Sequence, residues 1–391
     1  MEVNKRKLYL DKNLRVVFSI TLISLMGVAS LTPAFPGIGK AFNITPKEVG
    51  LLITMFTLPG IFLTPVLGVF ADRYGRKRII IPSLILFGIA GTLCFFTRDF
   101  QTLVILRFLQ GVGAASLGAI NLTIIGDLFT GRDRAAAMGY NSSVISVATA
   151  FYPVIGGVLA TIAWYYPFLL PLLSFGVALL VLTSLNNPEP KNVQSLKRYF
   201  IDTFKSVANI RIVGLLILSV LTFIILYGPY LTYLPFIVGD TFRQPPYVIG
   251  IIMSFASVAS FFTSANMGRL TKYFPESKLI IISCFFYFFS MILVPILNNV
   301  WLLIIPSMLF GIAQGMNLPS IMSLLASVAP MNQRGAIMSL NGMVFRIGQT
   351  LGPLIILPVY GIWGIDGAYN LGGIVAVLML IISLLMLGKK N

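Results

Sequence analysis

The chain has 391 residues, of which 57% are hydrophobic and only 10% are charged, and its formal net charge is +16. A soluble globular domain has about 25% charged residues, and the mean hydropathy of this chain is +0.92. The composition therefore excludes an ordinary soluble protein and indicates a protein embedded in a lipid bilayer.

Apolar runs separated by short polar breaks follow one another along the whole chain. A helix needs about 20 apolar residues to cross the hydrocarbon core of a bilayer, and twelve runs meet this requirement. The first run is longer than a signal-peptide core and lacks a good cleavage site, so we expect it to be retained as a helix. The predicted spans are 14–36, 46–71, 79–97, 101–128, 136–161, 165–184, 210–237, 247–271, 279–297, 300–329, 336–361 and 368–386.

The positive charges are distributed unevenly between the two sides of this twelve-span arrangement. Of the 28 lysines and arginines, 22 fall in the tails, the central linker and the loops on one side. Loops rich in lysine and arginine stay in the cytoplasm, so we expect a multi-pass protein of the cytoplasmic membrane with both termini inside. The same distribution accounts for the basic charge without a nucleic-acid partner.

A polar stretch divides the chain into two similar parts. We predict a six-helix bundle at 1–184, a cytoplasmic linker at 185–209 and a second six-helix bundle at 210–391. A shift of 200 residues aligns the two bundles. Among the matching pairs are Gly68 with Gly268, Gly111 with Gly311, Arg134 with Arg334, and Asn141 with Asn341. The predicted fold is therefore an all-α membrane protein whose two bundles are related by a pseudo-two-fold axis along the membrane normal, as in transporters with a substrate site between the halves.

Three short motifs lie on the matching helices and loops. The segment GVFADRYGRKR resembles the loop 2–3 signature of the major facilitator superfamily, and LVILRFLQGVGAA is similar to a helix 4 motif of its drug:proton antiporter branch. The segment FYPVIGG resembles the helix 5 antiporter motif through Pro153, Gly156 and Gly157, but Tyr152 stands where that motif has glycine. The resemblance extends over the whole chain and implies alternating access.

The resemblance also implies roles for individual residues. A conformational latch and charge relay is assigned to Gly68, Asp72, Arg73, Gly75, Arg76 and Asp127. In this relay Asp127 holds Arg76, and Asp72 rests near the start of helix 11, around residues 334 and 335. Proton coupling is assigned to Asp127 and Arg107, with Asp72 or an outer acid such as Asp240 as the other possible proton carriers.

Two arginines lie within predicted spans, and each is a functional candidate because a charge inside the membrane must face the interior or a wet cavity. The alternative for each is a structural arginine that binds helix carbonyls. Tyrosines can belong to interfacial belts, and buried amides can join helices, so each of the other candidates also has a structural alternative. The proposed cavity residues are Arg107, Asn121, Tyr227, Tyr230, Tyr233, Gln314, Asn317, Arg346 and Gln349.

The three tyrosines, spaced three residues apart, are predicted to share one broad helix face. None of the twelve acidic residues falls in the middle of a span. A cavity with two arginines and no acid would repel lipophilic cations, so a neutral or anionic amphiphile suits it better.

These observations predict a secondary active transporter that exports drug-like or amphiphilic small molecules in exchange for protons. The alternatives are a flippase or exporter of anionic or lipid-like substrates, and a facilitative transporter without proton coupling. A non-transporting receptor has little support because the tails are short. The chain contains no histidine and only two cysteines, each within an apolar run, so we expect no enzyme activity, no metal site and no cofactor. We expect a monomer.

Overall fold

The computed structural model describes residues 8–186, 209–329 and 334–387, and within these ranges it contains helices and no strand. By length and composition, ten described helices could cross a membrane. The helices are α1 Lys12–Phe42, α2 Pro46–Tyr74, α3 Arg76–Phe96, α4 Phe100–Ala114 with Leu117–Leu128, α5 Gly131–Ile162, α6 Tyr166–Ser184, α7 Ile210–Thr241, α8 Pro246–Ala265, α9 Glu276–Ile296, α10 Val300–Val328, and a last helix Arg334–Leu387.

The difference between ten and twelve has two physical causes. In α4 the hydrogen-bonding pattern breaks at Ala115 and Ser116, but both residues keep right-handed helical angles, so two short pieces form one bent span. The last helix has 54 residues, which is about 80 Å of helix and far more than one bilayer thickness. It kinks at Gly364, whose φ of 62° and ψ of −151° are not helical. We call residues 334–363 α11 and residues 365–387 α12, so every predicted span corresponds to a helix and the predicted all-α fold is confirmed.

The described part of the chain has two hydrophobic cores. The first is built from α1 to α6 around large buried side chains such as Phe35 and Phe87, with Phe236 added from α7. The second is built from α7 to α12 around Tyr287, Phe310 and Tyr369. Residues 187–208, which hold most of the predicted linker, lie outside the described ranges, so the domain boundaries stay a prediction.

The 200-residue repeat is visible in the packing of the two halves. Gly111 in α4 lies against the backbone carbonyl of Phe56 in α2, and Gly311 in α10 lies in the same way against the carbonyl of Ala256 in α8. A Cβ atom at either glycine would overlap that carbonyl. Gly311 follows Gly111 by 200 residues, and Ala256 follows Phe56 by 200 residues. The two bundles therefore repeat the same close helix contact.

Candidate functional site

A charge cluster lies at the end of the molecule that the sequence predicts to be cytoplasmic. The guanidinium of Arg76 forms ion pairs with Asp127 at 2.7 Å and with Asp72 at 3.2 Å. The Arg76 side chain is only 5% exposed, whereas the two carboxylates are 33% and 49% exposed. Gly75, with a φ of 96°, makes the sharp connection between α2 and α3. This turn places Arg76 at the start of α3, within reach of both acids.

The structure thus brings together three of the residues assigned to the latch. Arg73 forms no ion pair with a described carboxylate, and its guanidinium lies 5.4 Å from the ring of Tyr74. The side chains at 334 and 335, beside which the resemblance places Asp72, are outside the described part of the structure. The latch itself stays a prediction.

The opposite, predicted outer end is closed by an ion pair between the two halves. The Nζ of Lys40, at the end of α1, lies 3.0 Å from the Oδ1 of Asp240, at the end of α7. These positions are offset by 200 residues, so the pair joins pseudo-equivalent points of the two halves. The side chains remain 70% and 40% exposed. An ion pair so open to solvent contributes about 1 kcal/mol at most, but it marks where the halves meet.

The space beside individual glycines shows where the two halves are in close contact. Toward the predicted outer side, a Cβ at Gly157, Gly239 or Gly250 would collide with atoms of the other half. At the predicted cytoplasmic end, a Cβ at Gly68 or Gly342 would meet no other described atom within 4 Å. The close glycine contacts between the halves therefore lie toward the predicted outer side, whereas Gly68 and Gly342 face open space near the end that carries the charge cluster.

Reversing the charge at either position of the outer pair is expected to loosen this closure. Lys40→Asp would face Asp240 with a like charge, and Asp240→Lys would do the same to Lys40. Each single variant should raise the rate at which a cysteine introduced at the buried Ala34 reacts with an impermeant maleimide from outside, by a factor of about 2 to 5. The double charge swap should return the rate to that of the parent. A swap that labels as fast as the single variants would contradict the closure role.

Arg107 is enclosed by the first half. It is 1% exposed, and its guanidinium lies 4.3 Å from the ring of Phe56. Its Nε donates to the Leu52 carbonyl at 3.3 Å, and one Nη donates to Gln110 at 2.6 Å. Arg107 and Asp127 stand 20 positions apart on α4, which is about 30 Å, so they do not exchange a proton directly.

Arg346 has a different environment, at the boundary between the halves. It is partly exposed, and one Nη donates to Gln349 Oε1 at 3.1 Å. Its aliphatic stem lies against Gly60 of α2, where an added Cβ would stand 3.0 Å from the Arg346 Cδ. The side chain therefore reaches from α11 of the second half to α2 of the first.

Two predicted cavity amides are buried within single halves. Asn121 donates to the Val17 carbonyl at 3.0 Å and also bonds Thr21. In the second half, Asn317 accepts from Thr222 at 3.0 Å and donates to Ser283 at 2.9 Å. In this conformation both amides join helices of one bundle.

Two further polar contacts of the same kind were not expected from the sequence. Thr21 donates to Asn141 at 2.6 Å, and Ser219 donates to Asn341 at 2.9 Å. The two asparagines are a matching pair of the 200-residue repeat. That match, together with the hydroxyl residues inside α1 and α7, is the sequence signal that could have found them.

The expectation that three tyrosines of α7 share one broad face is wrong. Tyr230 stacks on Phe310 with ring centroids 4.3 Å apart, and Tyr233 packs against Tyr360 at 4.9 Å; both are buried in the second core. Tyr227 alone keeps partial exposure. The reason is that Leu226–Tyr233 is π-helical and contains a proline, so the side chains do not follow the α-helical spacing on which the expectation rested.

The partly exposed members of the predicted cavity set all belong to the second half: Tyr227, Gln314, Arg346 and Gln349. The other five, Arg107, Asn121, Tyr230, Tyr233 and Asn317, are buried. A ligand that enters between the halves in this conformation could reach only the first group without a rearrangement of side chains.

The helix 5 motif residues pack α5 against its neighbours. Gly156 lies against the Ser30 carbonyl of α1, and Gly157 lies against Pro246 of α8. Tyr152, the departure from the motif, donates from its hydroxyl to the Leu22 carbonyl at 3.0 Å. This tyrosine therefore adds a hydrogen bond between α5 and α1 where glycine would leave space.

Asp99, an acid in the predicted outer loops, caps the start of α4. Asp99 precedes α4 and accepts hydrogen bonds from the Thr102 hydroxyl and backbone N–H, both at 2.7 Å. The bond from the Thr102 side chain, followed by the backbone bonds, holds the pKa of Asp99 below its ordinary value. Asp99 is thus a helix cap that stays ionised, which makes it a poor proton carrier. In the described ranges, no cluster of acids and cysteines could hold a metal ion.

Comparison with known proteins gives a consistent result across the chain. The sequence profile of the Major Facilitator Superfamily matches residues 17–287 and 237–391. The bacillibactin exporter of Bacillus subtilis is 25% identical over 88% of both chains. The quinolone resistance protein NorA of Staphylococcus aureus is 24% identical over 95% of this chain and 97% of its own. A solved bacterial homologue of the human lysosomal transporter Spinster, in an inward-facing and occupied conformation, superposes with a TM-score of 0.76 at 15% identity, covering 96% of each chain.

Proposed function

The chain belongs to the Major Facilitator Superfamily, and we propose that it exports drug-like or amphiphilic small molecules in exchange for protons. Relatives that match most of its length are named as a bacillibactin exporter and a quinolone resistance protein, which supports export. The sequence charge bias supports cytoplasmic termini.

The observation that carries the proposal is the unequal contact between the halves. The ion pair and the tight glycine contacts between them lie toward the Lys40–Asp240 end, and Gly68 and Gly342 near the other end face open space. Such an arrangement corresponds to one end state of alternating access, in which rocking one half against the other moves the opening to the opposite side. With the predicted orientation, this is the inward-facing state, from which an exporter loads its substrate.

In the proposed cycle Asp127 carries the proton. Its carboxylate is partly exposed at the open end and shares Arg76 with Asp72. Protonation would remove the negative charge that holds the guanidinium, and deprotonation would restore it. Proton transfer at Asp127 would in this way change the strength of the charge cluster during rocking.

The test is efflux from proteoliposomes with an imposed pH gradient, measured with one cationic and one anionic fluorescent amphiphile. Transport should require the gradient and should stop when an ionophore collapses it. Asp127→Asn should abolish the dependence on the gradient, whereas Asp133→Asn, at an exposed acid on the same side, should retain it. Efflux that is equal with and without a gradient would support the facilitative alternative instead.

A second candidate is export or flipping of anionic or lipid-like molecules. It is favoured by the absence of acidic residues from the middle of the predicted spans and by the position of Arg346 between the halves. Efflux of the anionic amphiphile in preference to the cationic one would support this candidate, and strong efflux of the cation would oppose it.

A further inference from the structure

We propose that Arg346, Gln349 and Tyr227 form a subsite that binds the negatively charged group of an amphiphilic anion with an aromatic or apolar body. The proposal rests on the proposed transport function, because it names the ligand chemistry of the region between the halves.

The first support is that no ion pair with a described residue neutralises the charge of Arg346. The ion pairs among described residues are Lys40 with Asp240 and Arg76 with its two acids. No described carboxylate lies within 4.0 Å of the Arg346 guanidinium. An arginine inside a membrane normally has a counter-charge, a carbonyl or water. A bound anion would supply the missing counter-charge.

The second support is the direction of the hydrogen bonds around the guanidinium. Gln349 Oε1 accepts from Arg346 at 3.1 Å, so the amide N–H groups of Gln349 are the part left to bind another molecule. Tyr227 packs on the same helix as Arg346 and Gln349, because a Cβ added at Gly352 of α11 would stand 3.1 Å from the Tyr227 Cβ. The cluster therefore offers several donors and no acidic acceptor, which matches a carboxylate, sulfonate or phosphate.

The third support is the place of the cluster in the fold. The Arg346 stem rests on Gly60 of α2, and one turn away Thr57 and Thr350 join the two halves with a 2.9 Å hydrogen bond. A ligand held by Arg346 would therefore lie beside the contact that must change when the halves rock. The other intramembrane arginine, Arg107, is 1% exposed, so a ligand between the halves does not reach it in this conformation.

The fourth support is the apolar surface next to the charge. Phe223 and Phe345 pack with ring centroids 4.5 Å apart, and Phe223 lies 6.1 Å from Tyr227. Phe345 directly precedes Arg346. An aromatic body could pack on these rings while its anionic group reaches the guanidinium.

The proposal is tested by binding rather than transport, so its failure can be separated from failure of the export function. Isothermal titration calorimetry on the full chain in a nonionic detergent would compare dansylglycine, which carries a carboxylate, with its neutral amide. A charge-assisted hydrogen bond predicts about tenfold or greater preference for the carboxylate. Equal affinity for the two compounds in the parent protein would overturn the proposal.

Three variants test whether the preference for the carboxylate over the neutral amide comes from the subsite around Arg346. Arg346→Gln should lose it, and Arg269→Gln, at an exposed arginine, should keep it. Gln349→Glu leaves the arginine in place but adds an internal carboxylate beside it, so this variant should also lose the preference. If Arg346→Gln does not fold, Gln349→Glu decides alone. A preference that survives Gln349→Glu would overturn the proposal.

The anion could be a soluble molecule or a lipid headgroup, and a second titration distinguishes these two sources. The titration is repeated in nanodiscs of phosphatidylcholine with and without phosphatidylglycerol. Competition by phosphatidylglycerol that Arg346→Gln removes would support the subsite with a lipid phosphate as occupant. Unchanged affinity for dansylglycine would support the subsite with a soluble anion as occupant.

Discussion

Replacing Arg76 with glutamine is expected to slow transport about 5- to 30-fold. The change leaves Asp72 and Asp127 without the cation that joins them at 3.2 Å and 2.7 Å. Breaking a fully buried ion pair costs about 3 to 5 kcal/mol. Because these carboxylates are 49% and 33% exposed, solvent screening reduces the expected cost to about 1 to 2 kcal/mol.

Initial rates of efflux from proteoliposomes would measure this effect. Arg78→Gln is the matched control, since it removes the same charge two residues away at an exposed position. Arg76→Lys should recover only part of the rate, because a lysine ammonium lacks the planar fork that lets one guanidinium meet two carboxylates. Equal rates for Arg76→Gln and Arg78→Gln would show that the cluster has no part in the cycle.

Replacing Gly156 with alanine is expected to lower the melting temperature and to abolish most transport. The new Cβ would overlap the backbone carbonyl of Ser30 in α1, which cannot move without displacing the helix. Forcing an extra carbon into a packed contact costs about 1 to 3 kcal/mol. The neighbouring Gly157 lies against the other half, so a displaced α5 would also disturb the surface on which the halves rock.

The matched control is the same substitution at Gly176 in α6, where no described atom lies within 4 Å of the added Cβ. Glycine in a helix interior is less stable than alanine by roughly 0.5 to 1 kcal/mol, so Gly176→Ala should raise the melting temperature. Thermal unfolding in detergent, followed by intrinsic fluorescence, would compare the two variants. A stabilising Gly156→Ala would contradict the close packing of α5 on α1.

The helix 4 and loop motifs show how far sequence reasoning reaches toward the candidate site. The resemblance paired Arg76 with Asp127, and the structure brings these two side chains together. This was possible because the turn at Gly75 and the end of α4 are local features with recognisable residues. The pairing of Lys40 with Asp240 was missed, although both positions lie in the region of the repeat that aligns without gaps.

Helix α7 shows where sequence reasoning failed. The spacing of its three tyrosines predicted one face on the assumption of an α-helix, but the segment is π-helical around Pro229. A change of helix type depends on how the backbone is satisfied by neighbouring helices, and residue spacing alone does not report it. The same limit applies to the two intramembrane arginines, which look alike in sequence and differ in exposure.

The sequence by itself determined that the chain is an all-helical membrane protein built from two similar halves. Inside a bilayer the backbone must satisfy its hydrogen bonds within a helix or a closed barrel, and runs of about 20 apolar residues fit helices rather than the shorter strands of a barrel. The repeat follows directly from residue identities. Only the tertiary structure decided that Arg107 is enclosed while Arg346 stays partly exposed between the halves, and that the tightest glycine contacts between the halves lie toward one end. These properties depend on which helix faces meet across the interface, and that is set by packing between residues far apart in the chain.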